Sequence, residues 1–389
     1  MHKDRGGKLK MGPVWDYNFA LGNGKGGTDG YQWYPLEHQR FYQYKWWARL
    51  RQDPEFMLKY GDRWFKLRKG VYSTENVHAD IDETAAFLDE AKTRNFQRWK
   101  ILGSSGWAFL YDSYLYPTYA HEIQYFKDWA TDRFNWLDYE LQRECSLRPP
   151  TPSKNSGLVN AGDTVQIQAS PSLVENVIFD NSTNPTWKYL DNGTDQGTAW
   201  KALSFDDSTW KEGIGEFGFG NSSDTTRISY GGASHSSNKY ITTYFRKKFT
   251  ITNPAAVNLI YAPYVRDCGF VMYLNGQEVR RTRMPTSDAK YCTTVYYNTV
   301  SIEEITSTDE SAWNEFFIDP SLLVAGENII TVETHLSSIT DADLGFNMKL
   351  YTYTENSSAQ ATIYYTTDNT DPRLRGGAIS SSASVYTNP

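Results

Sequence analysis

Apolar residues recur at helical spacing through the first third of the chain and alternate with polar residues through the rest. Residues 41–51 carry Tyr44, Trp47, Ala48 and Leu50 at helical spacing, and residues 55–68 carry Phe56, Tyr60, Trp64 and Leu67; both segments are predicted helices. Ser73 is a good N-cap, although Asn76 stands where a capping box would place Glu or Gln. Residues 78–96 read as one long amphipathic helix with Ile81, Ala85, Leu88 and Ala91 on a single face. Thr118 caps a last helix whose buried face is Ile123, Phe126, Trp129, Phe134 and Leu137. These aromatic residues read as packed core. Ahead of the helices, Lys8-Leu9-Lys10-Met11 alternates as a strand after a turn at Asp4-Arg5-Gly6-Gly7. The run Gly22-Asn23-Gly24-Lys25-Gly26-Gly27 is a loop.

Beyond residue 147 the period changes to two. Residues 240–249 and 326–335 are predicted strands, residues 361–373 read as a strand into a turn, and residues 269–279 form a hairpin closed by Asn275-Gly276. Many short strands between residues 180 and 355 point to a jelly-roll sandwich. Three prolines in Pro149-Pro150-Thr151-Pro152 mark the change, because none can continue a helix.

Composition sharpens this division. The chain has 389 residues and a formal charge of −7, a length that suggests two or three domains. Nine of the 13 tryptophans lie in residues 1–150, together with 22 of the 39 basic residues. The remainder is rich in Ser, Thr, Asn, Gly and Tyr. The reading is a multidomain α+β protein, a mostly helical part followed by all-β sandwich modules. No run of about 18 apolar residues occurs, so no membrane span is predicted. The acidic balance disfavours sequence-independent nucleic-acid binding. The charged segment Met1-His2-Lys3-Asp4 has no apolar stretch behind it, so it is not expected to act as a signal peptide.

Chemistry is suggested first by Asp16. A carboxylate straight after a strand, followed by Tyr17, Asn18 and a glycine loop, can hold a divalent cation over phosphates, with Asn18 as a second oxygen. The same Asp could instead hydrogen-bond turn amides. Asp195, Asp206 and Asp207 are either turn carboxylates or Ca²⁺ ligands. Cys268 and Cys292 flank a hairpin and could pair in an oxidising compartment, while Cys145 stands alone. His78, His121, His235 and His335 show no zinc spacing. Asn181, Asn192, Asn221 and Asn356 head glycosylation-acceptor triplets, a pattern that arises easily by chance in such a composition.

Residues 1–142 resemble the C-terminal part of the spore-coat CotH kinase family. The motifs that carry the resemblance are Lys3-Asp4-Arg5-Gly6-Gly7-Lys8-Leu9 with Gly12-Pro13-Val14-Trp15-Asp16-Tyr17-Asn18, Asp53-Pro54-Glu55-Phe56, Arg63-Trp64-Phe65-Lys66-Leu67-Arg68, Arg94-Asn95-Phe96-Gln97-Arg98-Trp99, Thr118-Tyr119-Ala120-His121-Glu122-Ile123 and Trp136-Leu137-Asp138. The resemblance implies an atypical protein-kinase-like phosphotransferase using ATP and Mg²⁺, on a spore coat, at a cell surface or secreted. It also implies that Asp16 is the Mg²⁺-binding Asp; Asn18 departs from the Asp often found there. A phosphate-gripping Lys and a base-type Asp should precede that metal ligand. The sole Asp before Asp16 is Asp4, so this polypeptide alone is expected not to transfer phosphate.

Two further resemblances concern the β part. Residues 361–373 with Gly376-Gly377-Ala378-Ile379 and Val385-Tyr386-Thr387 resemble the small Ig-like module at the C-terminus of chitobiases and hexosaminidases. Its first strands are read at residues 157–167. Residues 148–172 and 359–389 are therefore expected to form one module, interrupted by an insert at 180–355, after a kinase-like lobe at 1–147. The insert resembles galactose-binding-like modules through Trp187-Lys188-Tyr189-Leu190-Asp191, Asp206-Asp207-Ser208-Thr209-Trp210 and Tyr273-Leu274-Asn275-Gly276. Such modules stack a sugar on an exposed ring, and Trp200, Trp210 and Trp313 are the candidates, each otherwise core. Two functions remain open: part of a CotH-like kinase, or a non-catalytic surface or adhesion protein whose partners are glycans or surface proteins.

Overall fold

A computed structural model describes residues 5–7, 45–102, 118–144, 148–154, 160–170, 172–221, 224–232, 234, 236–284, 295–301, 313–356, 362–374 and 376–387. The strand expected at residues 8–11, the glycine loop, and Asp16, Asn18, Cys145 and Cys292 lie outside them. The fold is α+β: among the described residues, five α-helices precede a series of sheets that are antiparallel except where Phe217–Phe219 runs parallel to Thr226–Arg227. The helices are α1 (Lys45–Arg51), α2 (Pro54–Arg68), α3 (Thr74–Phe87), α4 (Asp89–Arg98) and α5 (Tyr119–Glu144). Among the described residues, no helix is long and apolar enough to cross a membrane.

Helix α2 begins where its sequence says it should. The Asp53 carboxylate accepts from the Glu55 amide, Pro54 occupies the first turn, and Arg68 sits in the last. Ser73 caps α3 by accepting from the Asn76 amide at 3.2 Å, and Thr118 caps α5 by accepting from the His121 amide. The long helix expected over residues 78–96 is instead two helices that meet at Leu88, where ψ opens to 1°. Of the four residues expected on one buried face, only Ile81 is buried, and Leu88 is 40 % exposed.

Two compact units emerge from the packing. One comprises Met1–Gln32, His78–Thr131 and Thr286–Thr293; the other comprises Trp33–Val77, Asp132–Pro285 and Thr294–Pro389. Within the first, α3 and α4 pack on the first half of α5. The His78 Nε2 atom lies 2.9 Å from Thr131 Oγ1, Asp82 pairs with Lys127, and the Lys92 ammonium covers the Tyr119 ring.

The second unit holds the β structure. Strands β1 (Arg148–Pro152) and β2 (Ile167–Ser170) pair with each other. The sandwich follows with β3 (Leu173–Phe179), β4 (Thr186–Leu190), β5 (Lys211–Ile214), β6 (Phe217–Phe219), β7 (Thr226–Arg227), β8 (Thr242–Ile251), β9 (Val257–Tyr261) and β10 (Tyr264–Arg266). It continues through β11 (Gly269–Leu274), β12 (Gln277–Thr282), β13 (Phe317–Ile318), β14 (Gly326–His335), β15 (Leu344–Met348) and β16 (Leu350–Glu355). A last pair, β17 (Tyr364–Tyr365) and β18 (Ser384–Val385), closes the chain.

One layer of the sandwich is the six-stranded sheet β12-β11-β14-β8-β4-β5; the other is formed by β10-β15-β6-β7 and β13-β9-β16-β3. The core between the layers includes Trp187, Phe245, Phe270, Met272, Ile330 and Val332 from the first, and Phe179, Phe217, Ile260, Phe346 and Leu350 from the second. Residues alternate across each strand because successive side chains point to opposite faces. The β11–β12 hairpin turns at Asn275 (φ 51°) and Gly276 (φ 85°). Two left-handed residues make a type I′ turn, which is why Asn-Gly is favoured there.

Candidate functional site

The three tryptophans proposed for sugar stacking occupy different environments. Trp200 is fully buried, edge-on to Tyr244 and Tyr273, and Trp210 is buried against Phe205 and Tyr244. Neither ring offers a face to a ligand, which corrects the expectation for both. They lie in an apolar cluster with Val271 and Met284, on the side of the six-stranded sheet opposite the main core. The segment around residues 199–210 covers that side, so the sheet is buried on both faces. Trp313 is different: 37 % of it is exposed, and the Lys349 ammonium lies 3.9 Å from its ring centre.

The carboxylates considered for Ca²⁺ do not converge. Asp195 accepts from the Gly197 amide, Asp206 from the Ser208 amide, and Asp207 is ion-paired with Arg246 at 2.7 Å. Among the described residues, no group of three or more His, Cys, Asp or Glu side chains is arranged to hold a metal. Cys268 is a free, buried thiol directed at Asp341, and burial pushes its pKa up.

A charged cluster that the sequence reading missed lies under the same cover. On β14, Thr331, Glu333 and His335 share the face opposite Ile330 and Val332. Glu333 accepts from the Tyr273 hydroxyl at 2.6 Å, stands 3.7 Å from Lys201 Nζ, and faces His335 Nε2 at 3.5 Å. The Lys201 ammonium also lies 3.9 Å above the Tyr273 ring. Burial lowers the Lys201 pKa, against the pull of Glu333 and Glu278. Burial pushes the Glu333 carboxyl up, but hydrogen bonding and charge from His335, with Lys201 and Tyr273, outweigh it and leave the group below its ordinary value. The Nδ1 atom of His335 reaches the Thr299 carbonyl at 2.8 Å and Thr242 Oγ1 at 2.9 Å. A carbonyl only accepts, so Nδ1 carries a hydrogen. The ring therefore ties the 295–301 segment to the sheet. Polar residues at every second position of an otherwise apolar strand were the available signal.

Two of the helical motifs meet within the second unit. Trp64 Nε1 donates to Asp138 Oδ1 at 2.7 Å, and Arg68 Nε donates to Asp138 Oδ2 at 3.0 Å. Arg68 also reaches the Tyr72 carbonyl and lies over the Phe134 ring. Thus Arg63-Trp64-Phe65-Lys66-Leu67-Arg68 and Trp136-Leu137-Asp138, 70 residues apart at the Arg68–Asp138 contact, form one polar junction between α2 and α5.

That junction ties α2 to the end of the segment that a family comparison covers, with Asp138 one residue past it. Residues 1–137 match the CotH kinase protein family. No curated protein matches. Solved structures share a likeness over about half of the chain. A glycosyl hydrolase family 2 member from Bacteroides cellulosilyticus is 14% identical with a TM-score of 0.30, the match covering 50% of this chain and 23% of that one. A β-glucuronidase from glycoside hydrolase family 2 is 15% identical with a TM-score of 0.27, covering 54% and 21%. A β-glucuronidase from an uncultured Clostridium species is 12% identical with a TM-score of 0.28, covering 47% and 29%. The chain spans less than a third of each of these proteins.

Proposed function

We propose that residues 1–137 supply the metal-binding carboxylate and helical lobe of a CotH-like, ATP- and Mg²⁺-dependent phosphotransferase, with the β modules attached behind it at a cell surface or outside the cell. The observation that carries this reading is the family match across those residues. The junction of Trp64, Arg68 and Asp138 supports it, because it accounts for two of the motifs as one packed unit. In this reading Asp16, with Asn18 beside it, binds Mg²⁺, which neutralises charge on the transferring phosphate. The test is phosphate transfer from labelled ATP by the natural protein that carries this chain. Asp16→Ala should abolish transfer; transfer at the wild-type rate would refute the assignment.

The β modules are read as nested. Leu173 pairs with Glu355, the Asn356 amide donates to the Ser172 carbonyl, and the Ile167 amide donates to the Tyr386 hydroxyl. These contacts support an insertion, since the sandwich leaves and rejoins the flanking segments at adjacent points. A second functional reading, contact with a glycan, rests on Trp313, the one candidate ring with an open surface. A glycan array should lose its signal in Trp313→Ala, and a flat array for the wild type would count against this reading.

A further inference from the structure

The face of the sandwich most suited to a partner by its aromatic content is β13-β9-β16-β3. Its inner face supplies Ile260, Ile318 and Leu350 to the main core. Its outer face presents Leu173, Leu259, Tyr261, Phe317, Tyr351 and Tyr353. That face is covered by helices. Tyr139 of α5 stacks on Tyr261 with ring centres 4.7 Å apart, and it also meets Phe317 at 5.6 Å and Tyr353 at 5.5 Å. Trp136, fully buried, donates its Nε1 hydrogen to Glu315 at 2.5 Å, and the other Glu315 oxygen accepts from the Tyr261 hydroxyl at 2.8 Å. Burial, and then the nearby Glu315 charge, push the Tyr261 pKa up, so that hydroxyl stays a donor.

Helix α2 completes the cover. Met57 and Phe65 are buried in the same cluster, with Phe56, Tyr60 and Trp64 packed against it. The C-terminal segment grips its polar side: the Gly376 amide donates to Glu55 at 3.1 Å, and Arg373 pairs with Asp62 at 3.6 Å. Family motif residues in α2 and α5 thus face the β structure, and each of those helices is also locked to the other through Asp138.

We infer that this sandwich face is the docking surface for α2 and the second half of α5, and that these helices and the sandwich open as one cooperative unit. Within the second unit the β part is then a built-in support of these two helical segments. A cluster of interlocked aromatic rings with a shared carboxylate satisfying two buried donors couples its members strongly. This inference does not depend on the phosphotransferase reading.

Hydrogen–deuterium exchange of the full chain tests it. Glu315→Gln preserves volume, removes the charge, and replaces one of the two accepting oxygens with an NH2 donor, so Trp136 and Tyr261 no longer both have an acceptor. Loss of charge-assisted hydrogen bonds should raise the opening equilibrium by about tenfold or more. The expected result is faster exchange by the same factor in α2, in residues 132–144 of α5, and in β9 and β16. Tyr353→Leu, placed on the sandwich side only, should also accelerate exchange in α2 and α5. Acceleration confined to the β strands in either variant, or helices that exchange at one rate regardless of both substitutions, would overturn the inference.

Discussion

Arg246 offers a sharp test of how the six-stranded sheet is covered. It lies on β8 with 1% of its surface exposed. Its guanidinium donates to Asp207 at 2.7 Å, to the Ala202 carbonyl at 3.1 Å and to the Phe205 carbonyl at 3.3 Å, and it reaches the Trp200 carbonyl as well. One side chain therefore satisfies a carboxylate and three main-chain oxygens of the covering segment. Arg246→Met removes every one of these donors and leaves Asp207 without its ion-pair partner. Breaking a buried pair from one side costs roughly 3–5 kcal/mol. Arg246→Lys keeps the charge but not the planar fork, so at least one carbonyl is orphaned, at a cost of about 2 kcal/mol. Urea unfolding followed by tryptophan fluorescence measures both, with Trp200 and Trp210 reporting from the covering segment itself. Adding Asp207→Asn to Arg246→Met should cost less than the sum of the two single changes. An Arg246→Lys protein as stable as the wild type would refute the claim that fork geometry organises the segment.

Acid stability should depend on Glu333. Its folded pKa lies below the ordinary 4.5, so it contributes stability that is present above 4.5 and lost as pH falls through the folded value; Glu333→Gln should flatten this acid limb in pH-dependent urea unfolding. Two glycine substitutions should differ in kind. Gly276→Ala meets only ordinary contact at 3.7 Å, so its cost, about 1–2 kcal/mol, is that of placing a side chain at φ +85°. Gly218→Ala puts a methyl 2.3 Å from the Leu344 carbonyl oxygen, a main-chain atom in a paired strand; calorimetry should show it to be the more damaging of the two.

Much of the local structure was legible because it is fixed by local chemistry. Asp53-Pro54, Ser73 and Thr118 start helices through caps that need only their own neighbours, and β14 and the Asn275-Gly276 turn follow from period and turn type. What depends on tertiary contacts was not legible. The break at Leu88 is invisible in a pattern that continues on either side of it. For Trp200 and Trp210 the sequence left both a core place and a sugar-facing one open, and only the second layer of chain over that face of the sheet decides for the core. Trp136 was passed over as a buried residue of α5 because its partners, Glu315 and Tyr261, are far along the chain. Lys201, Glu333 and His335 come together only through strand order β11-β14-β8.

The central claim is that Asp16 holds magnesium for a nucleotide. Titration calorimetry of a non-hydrolysable ATP analogue into the protein that carries this chain, with and without Mg²⁺, tests it directly. The account predicts Mg²⁺-dependent binding that Asp16→Ala eliminates and Trp313→Ala leaves intact. Equal affinity in the wild type and Asp16→Ala, or binding indifferent to Mg²⁺, would contradict it.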